Sequence, residues 1–254
     1  VSEALEANLD FRAVAFAYGS QQILNGLNLH VRPGEVVGFL GVNGSGKTTT
    51  FLLATGFLAP SSGSIKIAGF APRSSRQWCA KVGVVNSGAG HYNRLTVRRN
   101  LAFFASLYGA QLDLEAHMRA YGLSAVANKP AGQLSQGYRQ RLSLARATVH
   151  QPRLLLLDEP SDGLDPGATE ELHQSVRRFA DGGGGVLLTS HRVEEVETLC
   201  HRVVLLADGV ATLQGTPQEL GGGEPGGLRA RLLAMGGQVC AHDGPMAGDK
   251  PHSS

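Results

Sequence analysis

An α/β fold with a mainly parallel sheet is predicted by three features of this chain. Short apolar runs of strand length alternate with helical stretches along most of its length. One of them, Leu154-Leu155-Leu156-Leu157, is apolar at every position, the pattern of a strand covered on both faces. A third feature is the glycine-rich turn Gly41-Val42-Asn43-Gly44-Ser45-Gly46, which joins the apolar run Val36-Val37-Gly38-Phe39-Leu40 to a helix-forming stretch. With 254 residues the chain can bury a substantial core and hold one α/β domain with a smaller subdomain. Its 42% hydrophobic and 17% charged residues mark it as globular and exclude disorder.

The N-terminal part reads as strands at residues 9–15, 27–31, 35–40 and 64–67. Pro33-Gly34, Pro60 with Ser61-Ser62-Gly63, and Gly69 mark the turns between them. A helix over residues 48–54 follows the glycine-rich turn. The next helical stretch runs from about Thr96 to Gly109, where Leu101, Phe104, Leu107 and Tyr108 are spaced to share a face. Another begins near Ser135 and continues through Leu142, Leu144, Ala145 and Ala147 until Gln151-Pro152. After the leucine strand, Asp165 can cap a helix, Pro166 suits its first position, and Gly182 follows its end. A strand at 186–189, a short helix at 193–199 and a last strand at 202–206 lead to the turn Asp208-Gly209. The predicted division is one domain over residues 1–220, with a helical subdomain inserted at about 90–145. A loose Gly/Pro-rich tail is expected over 221–254, where only residues 228–235 can make one or two helical turns.

Bulk properties narrow the function classes. A formal net charge of +2 gives no electrostatic case for a nucleic-acid partner, and none is expected. No apolar run approaches the roughly 20 residues that span a bilayer. Val1-Ser2-Glu3-Ala4-Leu5-Glu6 is acidic and lacks a hydrophobic signal core, so a soluble, cytosolic chain is expected. Cys79, Cys200 and Cys240 are odd in number and lack CxxC spacing, which argues against a disulfide framework or a zinc site.

The chemistry concentrates at two places. Gly41 to Thr48 form the phosphate-binding P-loop pattern: small residues let backbone N–H groups close around phosphate oxygens, and the helix that follows points its positive end at the same anion. Lys47 supplies a mobile cation for the terminal phosphates, and the Thr48 hydroxyl is the expected Mg2+ ligand. The second place is Asp158-Glu159, two carboxylates that end an apolar strand. Ionised carboxylates need water, a cation or donors, and beside a P-loop Asp158 can hold Mg2+ while Glu159 polarises an attacking water.

Taken in order, these motifs resemble those of ATP-binding cassette (ABC) ATPases, the nucleotide-binding subunits of ABC transporters, over about residues 9–220. The resemblance implies a RecA-like P-loop NTPase core with N-terminal antiparallel strands and an inserted helical subdomain. It implies that Tyr18 stacks on adenine and that Gly41, Asn43, Gly44, Ser45, Gly46, Lys47, Thr48 and Thr49 hold the phosphates of ATP. Thr48 and Asp158 would bind Mg2+, with Glu159 and the switch histidine His191 as the catalytic pair. Leu134-Ser135-Gln136-Gly137-Tyr138 sits where the family signature belongs, and residues 161–165, ending in Asp165, resemble the D-loop.

Ser135 lies at a predicted helix N-terminus, and Gly137 leaves room for backbone to approach phosphate, which makes a second anion site. In the family that site faces the ATP held by the other subunit. Two cassettes, identical or different, thus close head to tail on two ATP molecules, and one monomer should be a poor ATPase. A separate transmembrane permease would be the partner, placing the chain at the inner face of the cell membrane. The style of residues 91–97 and 137–141 is similar to that of bacterial multidrug or antibiotic-type exporters. Two departures stand out. The signature reads LSQGY where the commonest version reads LSGGQ, and Asn86 or Ser87 occupies the place of the usual Q-loop glutamine. Both residues are shorter than glutamine and could act through a water. A soluble ABC ATPase without a membrane partner, or a degenerate regulatory cassette, are the alternatives.

Overall fold

The computed structural model describes residues 7–41, 44–74, 76–86, 90–224 and 226–234. Two sheets form its frame. The first is antiparallel: β1 (Leu9–Tyr18) lies between β2 (Gln21–Val31) and β4 (Ser62–Ile67). The second has six strands, counting β3 (Val36–Gly41), β5 (Val82–Val85), β6 (Leu154–Asp158), β7 (Gly185–Thr189), β8 (Arg202–Ala207) and β9 (Val210–Gly215). Its order is β5-β6-β7-β3-β8-β9, parallel throughout except for the antiparallel edge strand β9.

The leucine strand shows why such a sequence must sit inside the sheet. Side chains alternate across a strand, so Leu154 and Leu156 enter the core shared with the antiparallel sheet, among Phe11, Leu29 and Phe39. Leu155 and Leu157 enter the opposite core with Leu172, Val176 and Val196. All four are completely buried, each stabilising the fold by about 1.5–3 kcal/mol relative to exposure. The opposite core is closed by α6 (Pro166–Asp181) and α7 (Val193–Leu199). A third apolar cluster joins α3 (Val97–Tyr108), α4 (Leu114–Ala120) and α5 (Gln136–Thr148) through Val97, Leu101, Met118, Leu123, Leu142 and Ala145.

Helix ends follow the local chemistry. Thr96 caps α3 by accepting from the Arg99 N–H, Ser135 caps α5, and Asp165 caps α6 with Pro166 behind it. The sequence reading did not predict α4, and further differences lie in the strands. β2 begins at Gln21, not at residue 27: only Ile23 and the buried Leu24 are apolar in its first half, and β1 pairs with it through bulges that break the alternation. Strand β5 was not expected. It is four residues long and interrupted by Gly83, where a Cβ would lie 2.2 Å from the Ala147 carbonyl oxygen. The expected last strand is followed by β9, whose residues are half-exposed at the sheet edge and carry little apolar signal. Beyond α8 (Pro217–Leu220), residues of the expected tail form α9 (Gly227–Ala234), which buries Leu228 and Leu232 in the α6–α7 core. The rest of that tail, residues 235–254, lies outside the described residues. No helix among the described residues is long and apolar enough to cross a membrane.

Candidate active site

The C-terminal ends of β3, β6 and β7 meet at one edge of the parallel sheet, and the candidate site lies there. β3 runs into the glycine-rich turn, of which Val42 and Asn43 lie outside the described residues. Gly46 then starts α1 (Lys47–Ala54) with φ 107°, a conformation L side chains rarely adopt, and a Cβ there would stand 2.8 Å from Leu24. Gly46 at the N-cap has no side chain to cap α1, and no acidic residue occupies its first turn. The positive dipole end of α1 is at the cleft, which Gly46, Lys47, Thr48 and Thr49 line.

A cleft of about 410 Å³ is lined by Gly44, Gly46, Lys47, Thr48 and Thr49 on one side and by Asp158 and Glu159 on the other. Lys47 Nζ donates to the Gly41 carbonyl at 2.5 Å. Burial pushes the Lys47 pKa down, while the charges of Glu159 and Asp158 act against that shift. Ser45 Oγ is buried and has no hydrogen-bond partner among the described residues, but it does not line the cleft and lies against Gly41, where a Cβ would stand 2.5 Å from it. Asp158 Oδ1 accepts from Thr189 Oγ1 at 2.5 Å. Glu159 follows with φ 47°, strained for a non-glycine residue, and its N–H donates to the Thr189 carbonyl at 3.1 Å. That turn aims its carboxylate at His191: Glu159 Oε2 accepts the His191 backbone N–H at 3.1 Å and lies 2.7 Å from Nδ1. With a carboxylate opposite, Nδ1 is assigned the proton.

These residues fit a magnesium nucleotide. The glycine turn, the lysine and the start of α1, all of which line the cleft, suit an anion. Among the described residues no cluster of three His, Cys, Asp or Glu side chains forms a metal cage. Mg2+ needs none, since one or two protein oxygens, phosphates and waters complete its octahedron.

The other predicted residues lie apart from this cleft. Tyr18 is 49% exposed and packs edge-on against Phe16. It does not line the cleft, although Gln21, its partner across the hairpin, does. Ser135 and Gly137 sit at the start of α5, where Ser135 Oγ accepts the Tyr138 N–H at 3.5 Å. Asp165 Oδ1 accepts the Ala168 N–H at 2.9 Å as a helix cap. Gln136, the signature departure, donates to the Asp162 carbonyl at 3.1 Å, and a Cβ on Gly163 (φ 67°) would stand 2.5 Å from its Nε2. The signature helix is thereby fastened to the turn after Glu159. Asn86 is exposed beyond the end of β5, and Ser87 lies outside the described residues.

The sequence reading passed over Gln21, Ile23 and Thr189, which also line the cleft. Thr189 carried a usable signal, a polar residue ending an apolar strand as Asp158 does. A larger cleft, about 640 Å³, opens beside Tyr121, Arg153 and Arg178 at the other end of the strands and holds none of the predicted residues. Convergent chemistry, not size, marks the site.

Known proteins resemble this chain in sequence and fold. The family described as ABC transporter matches residues 24–162. The Nod factor export ATP-binding protein I of Paraburkholderia xenovorans (strain LB400) is 38% identical over 224 residues, covering 85% of this chain and 73% of that protein. A solved ATP-binding subunit of an ABC transporter aligns with TM-score 0.80 and 25% identity, covering 90% of this chain and 99% of that one. CbiO1 from Clostridium perfringens, part of the ABC transporter complex cbiONQ, aligns with TM-score 0.76 and 27% identity over 84% of this chain and 90% of its own.

Proposed function

The chain belongs to the ABC transporter family of ATP-binding cassettes, which are ATPases, and from that premise we propose that its cleft hydrolyses ATP to drive a separate transmembrane permease. The observation that carries the reading is the convergence of Lys47, Asp158 and Glu159 on one cleft with His191 held against Glu159. Lys47 neutralises the terminal phosphates, and Ser45, Thr49 and the α1 N–H groups orient the rest. Thr48 and Asp158 would hold Mg2+, which when bound draws charge from the β- and γ-phosphate oxygens. Glu159 takes the proton of the attacking water, and His191 fixes the direction of that carboxylate. Tyr18, at the turn end of the β1–β2 hairpin, is the platform for adenine.

Ser135, Gly137 and Asp165 do not line the cleft of their own chain, which suits a head-to-tail pair in which each cassette completes the site of the other. On the helical part, Tyr92, Phe103 and Phe104 pack ring against ring, with Tyr92 half-exposed, and Leu107 and Tyr108 are exposed on the same helix as the two phenylalanines. Such an apolar patch suits contact with a permease, which would hold the cassette at the inner face of the membrane. Export is the direction suggested by the similarity to the Nod factor export protein. The test is capture of the tagged chain from gently solubilised membranes. A stoichiometric multi-spanning protein is expected, and recovery with soluble partners alone would contradict the transport reading.

A further inference from the structure

Behind the cleft lies a buried polar cluster that the roles above do not use. Glu195 on α7 is 3% exposed, yet it is a carboxylate in an apolar layer. Its Oε2 accepts from Ser190 Oγ at 2.6 Å, its Oε1 lies 3.2 Å from His173 Nε2 of α6, and Ser161 also hydrogen-bonds to it. All three partners are themselves buried. Burial pushes the Glu195 pKa up, but the hydrogen bonds from His173, Ser190 and Ser161 outweigh it and hold the group below its ordinary value. Arg192 closes the ring: its backbone N–H donates to Ser190 Oγ at 3.0 Å and its Nη1 to Ser161 Oγ at 3.4 Å.

An apolar side chain would fill this position of α7 without the desolvation penalty of a charge. What the carboxylate adds is its choice of partners. Ser190 immediately precedes His191, and Ser161 stands two residues beyond Glu159. The helix bearing Glu195 packs directly on β3: a Cβ on Gly38 would lie 2.7 Å from Val196 and 2.8 Å from Cys200. We propose that Glu195 is a positioning residue for hydrolysis: anchored on α7, it holds the backbone before His191 and the turn after Glu159 in one register, and so fixes the 2.7 Å contact between Glu159 and His191. This rests on the ATPase reading of the cleft and adds to it a residue that touches neither nucleotide nor metal.

The test compares Glu195→Gln, Ser190→Ala and their double variant in the whole chain. In each, kcat for MgATP falls about 10–100-fold, the scale of a small misplacement of reacting groups. ATP affinity stays within about twofold, because the phosphate cradle is untouched. The double variant falls no further than the worse single one, since both break the same link. The imidazole 15N resonances of His191 shift in both single variants. Ser190→Ala keeps the carboxylate and two of its donors, so it remains informative if Glu195→Gln does not fold. A kcat within about twofold of wild type, a loss of ATP affinity in step with kcat, or an unmoved His191 signal would each overturn the proposal. If wild-type hydrolysis proves independent of Glu159, the ATPase reading fails separately, and the His191 resonances still decide whether Glu195 sets its position.

Discussion

Lys47 shows how one residue joins the local chain to the chemistry of the cleft. Its stem starts α1, its ammonium reaches back to the Gly41 carbonyl, and Asp158 and Glu159 lie close enough to favour its charge. Lys47→Ala should weaken ATP binding about 10–100-fold, the worth of one charge-assisted contact. A titration with ATP measures this, and an unchanged dissociation constant would refute the placement of the phosphates. Lys47, Thr48, Asp158 and Glu159 were legible in the sequence because residue type and spacing alone state their chemistry. Glu195 was not: its meaning lies in a contact to His173, 22 positions away, which only the folded chain brings together. The strain at Glu159 was equally invisible, since no sequence rule assigns φ 47° to a glutamate.

At the scale of elements, the start of β3 is tied to the start of β8 by Glu35 and Arg202. Arg202 Nε donates to Glu35 Oε1 at 2.7 Å, and the Arg32 N–H donates to Oε2 at 2.8 Å. Burial pushes the Glu35 pKa up, but the hydrogen bonds from Arg202 and Arg32 prevail and hold it below its ordinary 4.5. A depressed carboxylate stabilises the fold above its unfolded pKa, and that stability is lost as pH falls through the folded value. Glu35→Gln should therefore cost about 1–3 kcal/mol at pH 7. The gap to wild type should close as pH drops below 4.5, the ordinary Glu35 value. Urea unfolding at the two extremes measures it, and a gap independent of pH would contradict the assignment. Elements with strong apolar patterns or clear caps, such as β6, α3 and α6, were legible. β9 was not, because a half-exposed edge strand needs little apolar sequence, and the first half of β2 carries only Ile23 and Leu24 as apolar residues.

For the whole molecule, the proposed pairing rests on where the two predicted anion sites lie relative to each other. The P-loop cleft lies at one sheet edge, while the signature at the start of α5 is fastened to the Asp162–Gly163 turn and does not line that cleft. On the proposed head-to-tail pairing, hydrolysis is efficient only when a second cassette presents its signature. With hydrolysis blocked in Glu159→Gln, addition of MgATP should double the mass seen by light scattering. A mass that stays monomeric at every ATP concentration would contradict the head-to-tail pairing. The overall architecture was legible from the order of motifs. The docking of α9 on the core was not, because its two buried leucines lie in a stretch rich in glycine and proline.

The central claim is that Glu159 removes the proton from the attacking water in this cleft, and the steady-state rate of Mg-dependent ATP hydrolysis tests it most directly. Wild type and Glu159→Gln should bind ATP alike, while the rate of the variant falls by about 10²–10⁴-fold, the usual contribution of a general base. Equal rates in the two proteins would show that the proton goes elsewhere and that this account of the site is wrong.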